Sequence, residues 1–360
     1  ISLQSFKNYK LDPNSGKKGM FNKLNKDQAL DLLNKEKFKR KTVSFYRYVK
    51  IENPSKLRDD LYLNWNSLKV FGRIYLAEEG VNAQISVPEN NWDTFVTNVS
   101  SYTYFKDVPF KIAIEDDGKS FFKLTIKVRE KIVADGLDSC EYDVTNVGKH
   151  LTAKQWNDAI EKGATVVDMR NHYESEIGRF KGAICPDSET FKEELPKVKQ
   201  ILKGQEEKQV LLYCTGGIRC EKASAYLKHH GFNDVNQLHG GIIDYARQLK
   251  QDTSLENKFE GRNFVFDERR GERISNDVIS SCHQCGEPHD IHVNCRNVNC
   301  NLLFIQCERC KKKYKNCCSL DCIEVLNMPA DKQKKLRKGK DNKKRYFSHK
   351  KVQLKLKIND

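Results

Sequence analysis

At 360 residues the chain has room for two or three domains; no apolar run approaches the length of a membrane span, and no signal-peptide pattern is present. Thirteen cysteines would suit a disulfide scaffold only in a short exported chain, so here they read as reactive thiols and metal ligands of a cytoplasmic protein. A formal charge of +15 points to a polyanionic partner.

Residues 1–41 read as a polar basic leader with one helix expected at Lys26–Lys37; the chain opens on Ile1 rather than methionine, and a natural start upstream is expected. In residues 42–133, Val43–Val49 reads as a strand, Pro54–Asn64 as a helix, Phe71–Val87 as two strands about Glu79-Gly80, Asn91–Val99 as a second helix and Phe121–Val128 as a final strand. That order is the ferredoxin-like split arrangement of an α+β domain. Tyr46, Tyr48, Tyr75 and Asn82 are its candidates for base stacking or edge reading, although strand tyrosines more often serve packing.

Ala134–His150, with Gly136 and Gly148, reads as the linker that opens a domain at residues 134–262. There Gln209–Tyr213 is a short apolar run of buried-strand type, and helical composition resumes at Glu221–Leu227. Between them stands Cys214-Thr215-Gly216-Gly217-Ile218-Arg219-Cys220. A cysteine between a strand end and a helix start meets unpaired amide hydrogens and the positive end of the helix dipole, so its pKa falls and an anion can be cradled. Gly216 and Gly217 let the backbone curl around the sulfur, and Arg219 adds a fixed cation. Cys214 and Arg219 are the expected catalytic residues, on an active loop completed by Thr215, Gly216, Gly217 and Ile218. Upstream, Asp168 and Arg170 follow the strand Thr165-Val166-Val167 and suit an ion pair that braces the loop, with substrate contact the lesser reading. Cys220 is either a second thiol for a disulfide or persulfide, or a helix residue packed beneath the loop. His172 and Glu174 sit where they could assist proton transfer.

Nine cysteines fall in residues 263–330, a small cysteine-rich domain expected to bind structural zinc. Cys282-x-x-Cys285 and Cys307-x-x-Cys310 have zinc-ribbon spacing, because two thiolates on one tight turn can share a tetrahedral ion. Cys295, Cys300, Cys317 or Cys318, and Cys322, with His283, His289 and His292 nearby, are candidates for a second zinc whose pairing the spacing leaves open. So short a segment has little core of its own, and metal would supply folding energy. Residues 331–360 carry 13 Lys or Arg against 3 Asp, a basic tail of net +10 suited either to phosphate contacts or to simple solvation.

The Cys214–Arg219 loop, Asp168-Met169-Arg170, Ile177-Gly178-Arg179-Phe180-Lys181-Gly182-Ala183 and Gly240-Gly241-Ile242 together resemble the rhodanese superfamily, an α/β fold with a parallel sheet. The six-residue loop matches its sulfur-handling branch. Narrower still, Cys214-Thr-Gly-Gly-Ile-Arg-Cys-Glu-Lys-Ala-Ser224, Leu76-Ala-Glu-Glu-Gly-Val-Asn82 and Lys123–Val133 are similar to the tRNA uridine hydroxylases over roughly residues 42–322, with departures at Ala83-Gln84 and in the basic ends. That resemblance implies an acylphosphatase-like first domain and a tRNA-modifying oxidoreductase that hydroxylates the wobble uridine to 5-hydroxyuridine, with molecular oxygen as co-substrate. No flavin, haem or nucleotide cofactor motif is visible in the sequence, and an electron or sulfur donor is left open. The Cys214 thiolate would then add to C6 of uracil and make C5 electron-rich. Two other classes stay open: a sulfurtransferase carrying persulfide on Cys214, and a non-catalytic binding module.

Overall fold

The structure is a computed structural model that describes residues 24–137 and 142–338; most of the basic leader and residues 339–360 of the basic tail lie outside the described residues. The described residues form two compact units, one of residues 24–136 with 267–269, the other of residues 137 and 142–266 with 270–338.

The first unit contains α1 (Lys26–Asn34), β1 (Arg40–Tyr48), α2 (Pro54–Ser67), β2 (Phe71–Ala77), β3 (Gly80–Pro88), α3 (Trp92–Ser101), β4 (Lys111–Ile112) and β5 (Leu124–Val128). Asn53 caps α2 by accepting from the Lys56 amide, and Pro54 occupies a first-turn position where its missing N–H costs nothing. Leu57, Leu61 and Trp65 follow at helical spacing and are buried against the sheet. Along the strands every second residue, among them Val43, Phe45, Ile74, Leu76, Val81, Ala83, Ile85, Leu124 and Ile126, enters that core, and the intervening residues line the other face.

The sheet order is β4-β1-β3-β2-β5. Strands β1, β2 and β3 take the positions expected of the split arrangement, with β3 antiparallel to both neighbours. The closing strand is not Phe121–Val128, however. Two-residue β4 pairs antiparallel with β1 and completes the ferredoxin-like order, whereas β5 adds a parallel edge strand beside β2. Pro109 cannot donate to a ladder and stands just before β4, which keeps that strand at an edge and short.

The second unit opens with β6 (Lys149–Leu151), α4 (Ala153–Glu161), β7 (Thr165–Asp168), α5 (His172–Ser175), β8 (Gly178–Phe180), α6 (Phe191–Ile201), β9 (Val210–Tyr213), α7 (Ile218–His229), β10 (Val235–Leu238) and α8 (Gly241–Gln251). Strands β6-β10-β9-β7 form a parallel sheet. Every residue of β9 and β10 is buried, as expected for strands covered on both faces. β11 (Phe259–Asn263) and β12 (Glu272–Arg273) join β8 in a second, antiparallel sheet. The cysteine-rich part follows as the hairpin β13 (His292–Asn294) and β14 (Leu303–Ile305), then α9 (Glu308–Lys313), α10 (Leu320–Asn327) and α11 (Ala330–Arg337). It docks through one apolar cluster that joins Leu303 and Ile305 of β14 to Tyr173, Ile177 and Phe264. Beside it His283 Nε2 lies 2.8 Å from Glu176 Oε1. No helix among the described residues is long and apolar enough to cross a membrane.

Candidate active site

Cys214 stands at the carboxyl end of β9, where a parallel sheet delivers loops to its ligand-binding edge. The loop closes because Gly217 adopts φ 96° as it caps α7, a conformation that side-chain-bearing residues avoid. Its amide donates to Cys214 Sγ at 3.1 Å. Gly241 seals the outside: a Cβ there would lie 2.5 Å from the Cys214 carbonyl oxygen and 2.7 Å from that of Thr215. The amides of Ile242 and Ile243 donate to those two carbonyls at 3.1 and 3.2 Å, so the start of α8 pins the loop from below.

Cys214 is fully buried, and burial pushes its pKa up. Hydrogen bonding from the Cys220 thiol, the charge of Arg219 and the amides of Arg219 and Cys220 outweigh that and bring it from 9.0 down to about 5. Cys220 shows the reciprocal effect: burial and its proton-sharing with Cys214 hold its own pKa well above the ordinary value. The structure thus makes Cys220 a donor to the Cys214 sulfur, a role that neither sequence-level reading of this residue described.

Arg219 does not point freely into the loop. It makes a two-pronged ion pair with Glu174, Nη1 to Oε1 at 2.6 Å and Nη2 to Oε2 at 2.8 Å, and Thr215 Oγ1 donates to the same carboxylate at 3.3 Å. Glu174 is placed by α5, where its carboxylate reaches back to accept from the Asn171 amide at 3.2 Å while its own amide donates to the Asn171 carbonyl at 2.8 Å. Its neighbour His172 has Nδ1 3.1 Å from the Ser188 carbonyl oxygen. Asp168 and Arg170 are both fully buried and bonded through Nε–Oδ1 at 2.8 Å and Nη2–Oδ2 at 2.7 Å. Arg170 Nη2 also donates to the Gly178 carbonyl, and Tyr213 Oη to Asp168 Oδ2. This pair therefore ties β7 to β8 and β9, the bracing geometry, and Asp168 holds the Arg170 guanidinium charged against its burial.

One group in this site escaped the sequence reading. Glu194, on the buried stripe Phe191, Glu194, Leu195 and Val198 of α6, has no exposure, and among the described residues neither carboxyl oxygen has a hydrogen-bond partner. Burial drives its pKa well above the usual carboxylate range; Arg219 opposes this, while Asp168, Glu174 and Cys214 reinforce it. Burial thus favours the neutral form of Glu194, within the electrostatic reach of the thiolate. The signal was available in sequence, as a lone carboxylate at an apolar position of a helical period.

Eight of the nine clustered cysteines gather into two groups of four, Cys282, Cys285, Cys307 and Cys310, and Cys295, Cys300, Cys318 and Cys322, with the sulfurs of each group all within 4.8 Å of one another. Measured pairs stand 3.6 Å apart for Cys285–Cys307, 3.6 Å for Cys300–Cys318 and 3.7 Å for Cys318–Cys322. A tetrahedron with metal–sulfur bonds of about 2.3 Å has edges of about 3.8 Å, so both sets fit zinc. Amides of Cys307 and Cys318 point at the sulfurs of Cys282 and Cys295, the support thiolate ligands require. Cys317 lies outside both groups, buried against Leu302 and Phe304, and His283, His289 and His292 belong to neither.

In the first unit, Tyr46, Asn82 and Tyr75 pair in one row across β1, β3 and β2. Asn82 Nδ2 is engaged with the Ile132 carbonyl at 3.4 Å.

Comparison with known proteins bears on all three regions. A family model described as UPF0176 acylphosphatase like domain matches residues 40–132, one described as Rhodanese-like domain matches residues 152–248, and one described as Rhodanase C-terminal matches residues 260–323. A protein of Leptospira interrogans named tRNA uridine(34) hydroxylase is 56% identical over 341 residues, covering 94% of this chain and 93% of the relative. The chain belongs to the tRNA uridine(34) hydroxylase family. Relatives of the same name from Pectobacterium atrosepticum and Yersinia pestis are each 52% identical, covering 86% and 84% of this chain and 87% and 86% of their own lengths. Family membership accounts for the architecture expected from sequence: an acylphosphatase-like domain, a rhodanese domain with a parallel sheet, and a cysteine-rich region able to hold metal.

Proposed function

We propose that this chain is an oxidoreductase that hydroxylates uridine 34 of tRNA, giving 5-hydroxyuridine at the wobble position, with molecular oxygen as co-substrate and the Cys214 thiolate as nucleophile. The observation that carries the chemistry is a sulfur held as an anion, at a pKa of about 5, within a family of proteins named for uridine hydroxylation. Cys214 Sγ adds to C6 of uracil, the C5=C6 electron pair moves onto the C5–C4–O4 system, and C5 becomes the carbon that takes oxygen. Departure of the thiolate from C6 with loss of the C5 proton restores the ring. The second oxygen atom leaves as water at the expense of a two-electron donor. Loop amides stabilise the developing anion, and Arg219, fixed by Glu174, contributes its field rather than a migrating contact. Zinc on the two cysteine groups would supply folding energy. The site of action is the cytoplasm, where tRNA is modified.

The test is mass spectrometry of tRNA nucleosides after incubation under oxygen-18 gas at a resolution that separates added oxygen from oxygen-to-sulfur exchange. Heavy oxygen on uridine is the expected result. Sulfur in its place would make Cys214 a persulfide carrier and overturn the proposal. A 5-fluorouridine-containing tRNA should trap a covalent adduct on Cys214; no adduct, together with an active Cys214→Ser variant, would remove the nucleophile from the scheme.

A further inference from the structure

The face of the first unit's sheet that turns away from α2 and α3 carries an unusual set of groups. By register Tyr46, Asn82, Tyr75 and Lys127 form one row across β1, β3, β2 and β5, and Ser44, Gln84, Arg73 and Thr125 form the next. Alternation puts Lys123 and Arg129 on the same side of the β5 segment. Arg73, Lys123, Lys127 and Arg129 are all exposed, and among the described residues none of them makes an ion pair. Partial burial and then Arg129, Arg73 and Lys123 are the causes that hold the Lys127 ammonium below its ordinary pKa; no carboxylate is among them. Four uncompensated cations sharing one sheet face repel one another and favour a polyanion. Beside them the Arg129 guanidinium lies 5.8 Å from the centre of the half-buried Tyr75 ring, and Lys111 Nζ 4.1 Å from that of Tyr46.

We propose that this face, with Arg73, Lys123, Lys127 and Arg129 on the backbone phosphates and Tyr75 stacking on a base, is a docking platform for a single-stranded segment of tRNA. The inference rests on the hydroxylase reading above. Charge selects a nucleic acid, and flat rings interleaved with amides and cations on an open sheet suit unpaired bases rather than a duplex, whose bases are hidden.

The experiment uses the full chain, unmodified tRNA, and the variants Arg73→Gln/Lys127→Gln/Arg129→Gln and Tyr75→Ala, read by fluorescence anisotropy across a salt series. The triple variant should weaken binding more than tenfold and flatten the slope of log affinity against log salt by about 2 to 3, at roughly 0.7–0.9 for each phosphate no longer neutralised. Tyr75→Ala should weaken binding about fivefold or more, and Tyr75→Phe should not. An unchanged Cys214 titration certifies the fold, and turnover at saturating tRNA should persist, so the loss falls on KM. A single-stranded oligoribonucleotide should compete, whereas an equal length of duplex should not; equal competition overturns the single-strand assignment. If the parent binds and hydroxylates tRNA but the triple variant matches its affinity and slope, the platform alone is refuted. If the parent binds no tRNA, the hydroxylase reading falls with it.

Discussion

Replacing Cys220 by alanine should raise the pKa of Cys214 by roughly one to two units without moving the loop. The Cys220 thiol is the foremost of the groups that hold the sulfur ionised, ahead of the Arg219 charge and the loop amides. A hydrogen bond to a charged group contributes about 1.5–3 kcal/mol, and one pKa unit corresponds to about 1.4 kcal/mol, so the midpoint should move from about 5 to roughly 6–7. Cys220→Ser keeps a donor in the same place and should restore most of the shift. The assay is the pH dependence of thiolate ultraviolet absorbance, taken as the difference between each chain and its Cys214→Ala counterpart so that the other cysteines cancel. The sign follows for stability as well. The folded pKa lies below the ordinary cysteine value of 9.0, so the thiolate's stabilisation is complete above pH 9 and disappears as pH falls from there through about 5. In Cys220→Ala the lower limit of that window should rise with the midpoint. An unaltered midpoint in Cys220→Ala would mean that the amides and Arg219 suffice, and the donor role would be wrong.

Because burial favours the neutral form of Glu194, Glu194→Gln should leave the Cys214 midpoint in place, while an infrared difference spectrum loses a protonated-carboxyl band; a lowered midpoint would show that Glu194 had been ionised. Asp168→Ala strands the buried Arg170 charge and should cost about 3–5 kcal/mol in urea unfolding, a large share of a domain's stability. Metal analysis of the purified chain should find two zinc ions per chain, one of them lost in Cys318→Ser and neither lost in Cys317→Ser. Chelation should unfold the hairpin β13–β14, seen as lost amide-exchange protection.

The parallel-sheet domain was legible because strand, cysteine loop and helix each carry a local signature, and the glycines at positions 217 and 241 mark where backbone and sulfur approach closely. The first unit was legible except at its edge. The alternation Phe110, Ile112, Ile114 is a strand signal, yet with Pro109 in front it amounts to two paired residues, while the stronger signal at Phe121–Val128 belongs to a strand outside the split motif. Periodicity reports that a segment is extended; it does not report which neighbour it pairs with. Similarly, CxxC spacing pointed to metal-capable cysteine groups but could not divide adjacent Cys317 and Cys318, because only the fold decides which sulfur turns inward. Glu174 was named as a proton-transfer candidate and proves to be the clamp on Arg219, a partnership 45 residues apart that no local pattern encodes.

The single turn α5 faces two chemistries at once. Tyr173 is seated on the strand that closes the cysteine-rich hairpin, and the very next residue, Glu174, grips the arginine beside the reactive sulfur. Whatever fixes the cysteine-rich hairpin therefore also fixes the floor under Tyr173, and through the adjoining Glu174 the seat of Arg219: a change in the two cysteine groups, which could each hold a metal ion, is mechanically one residue away from the loop around Cys214.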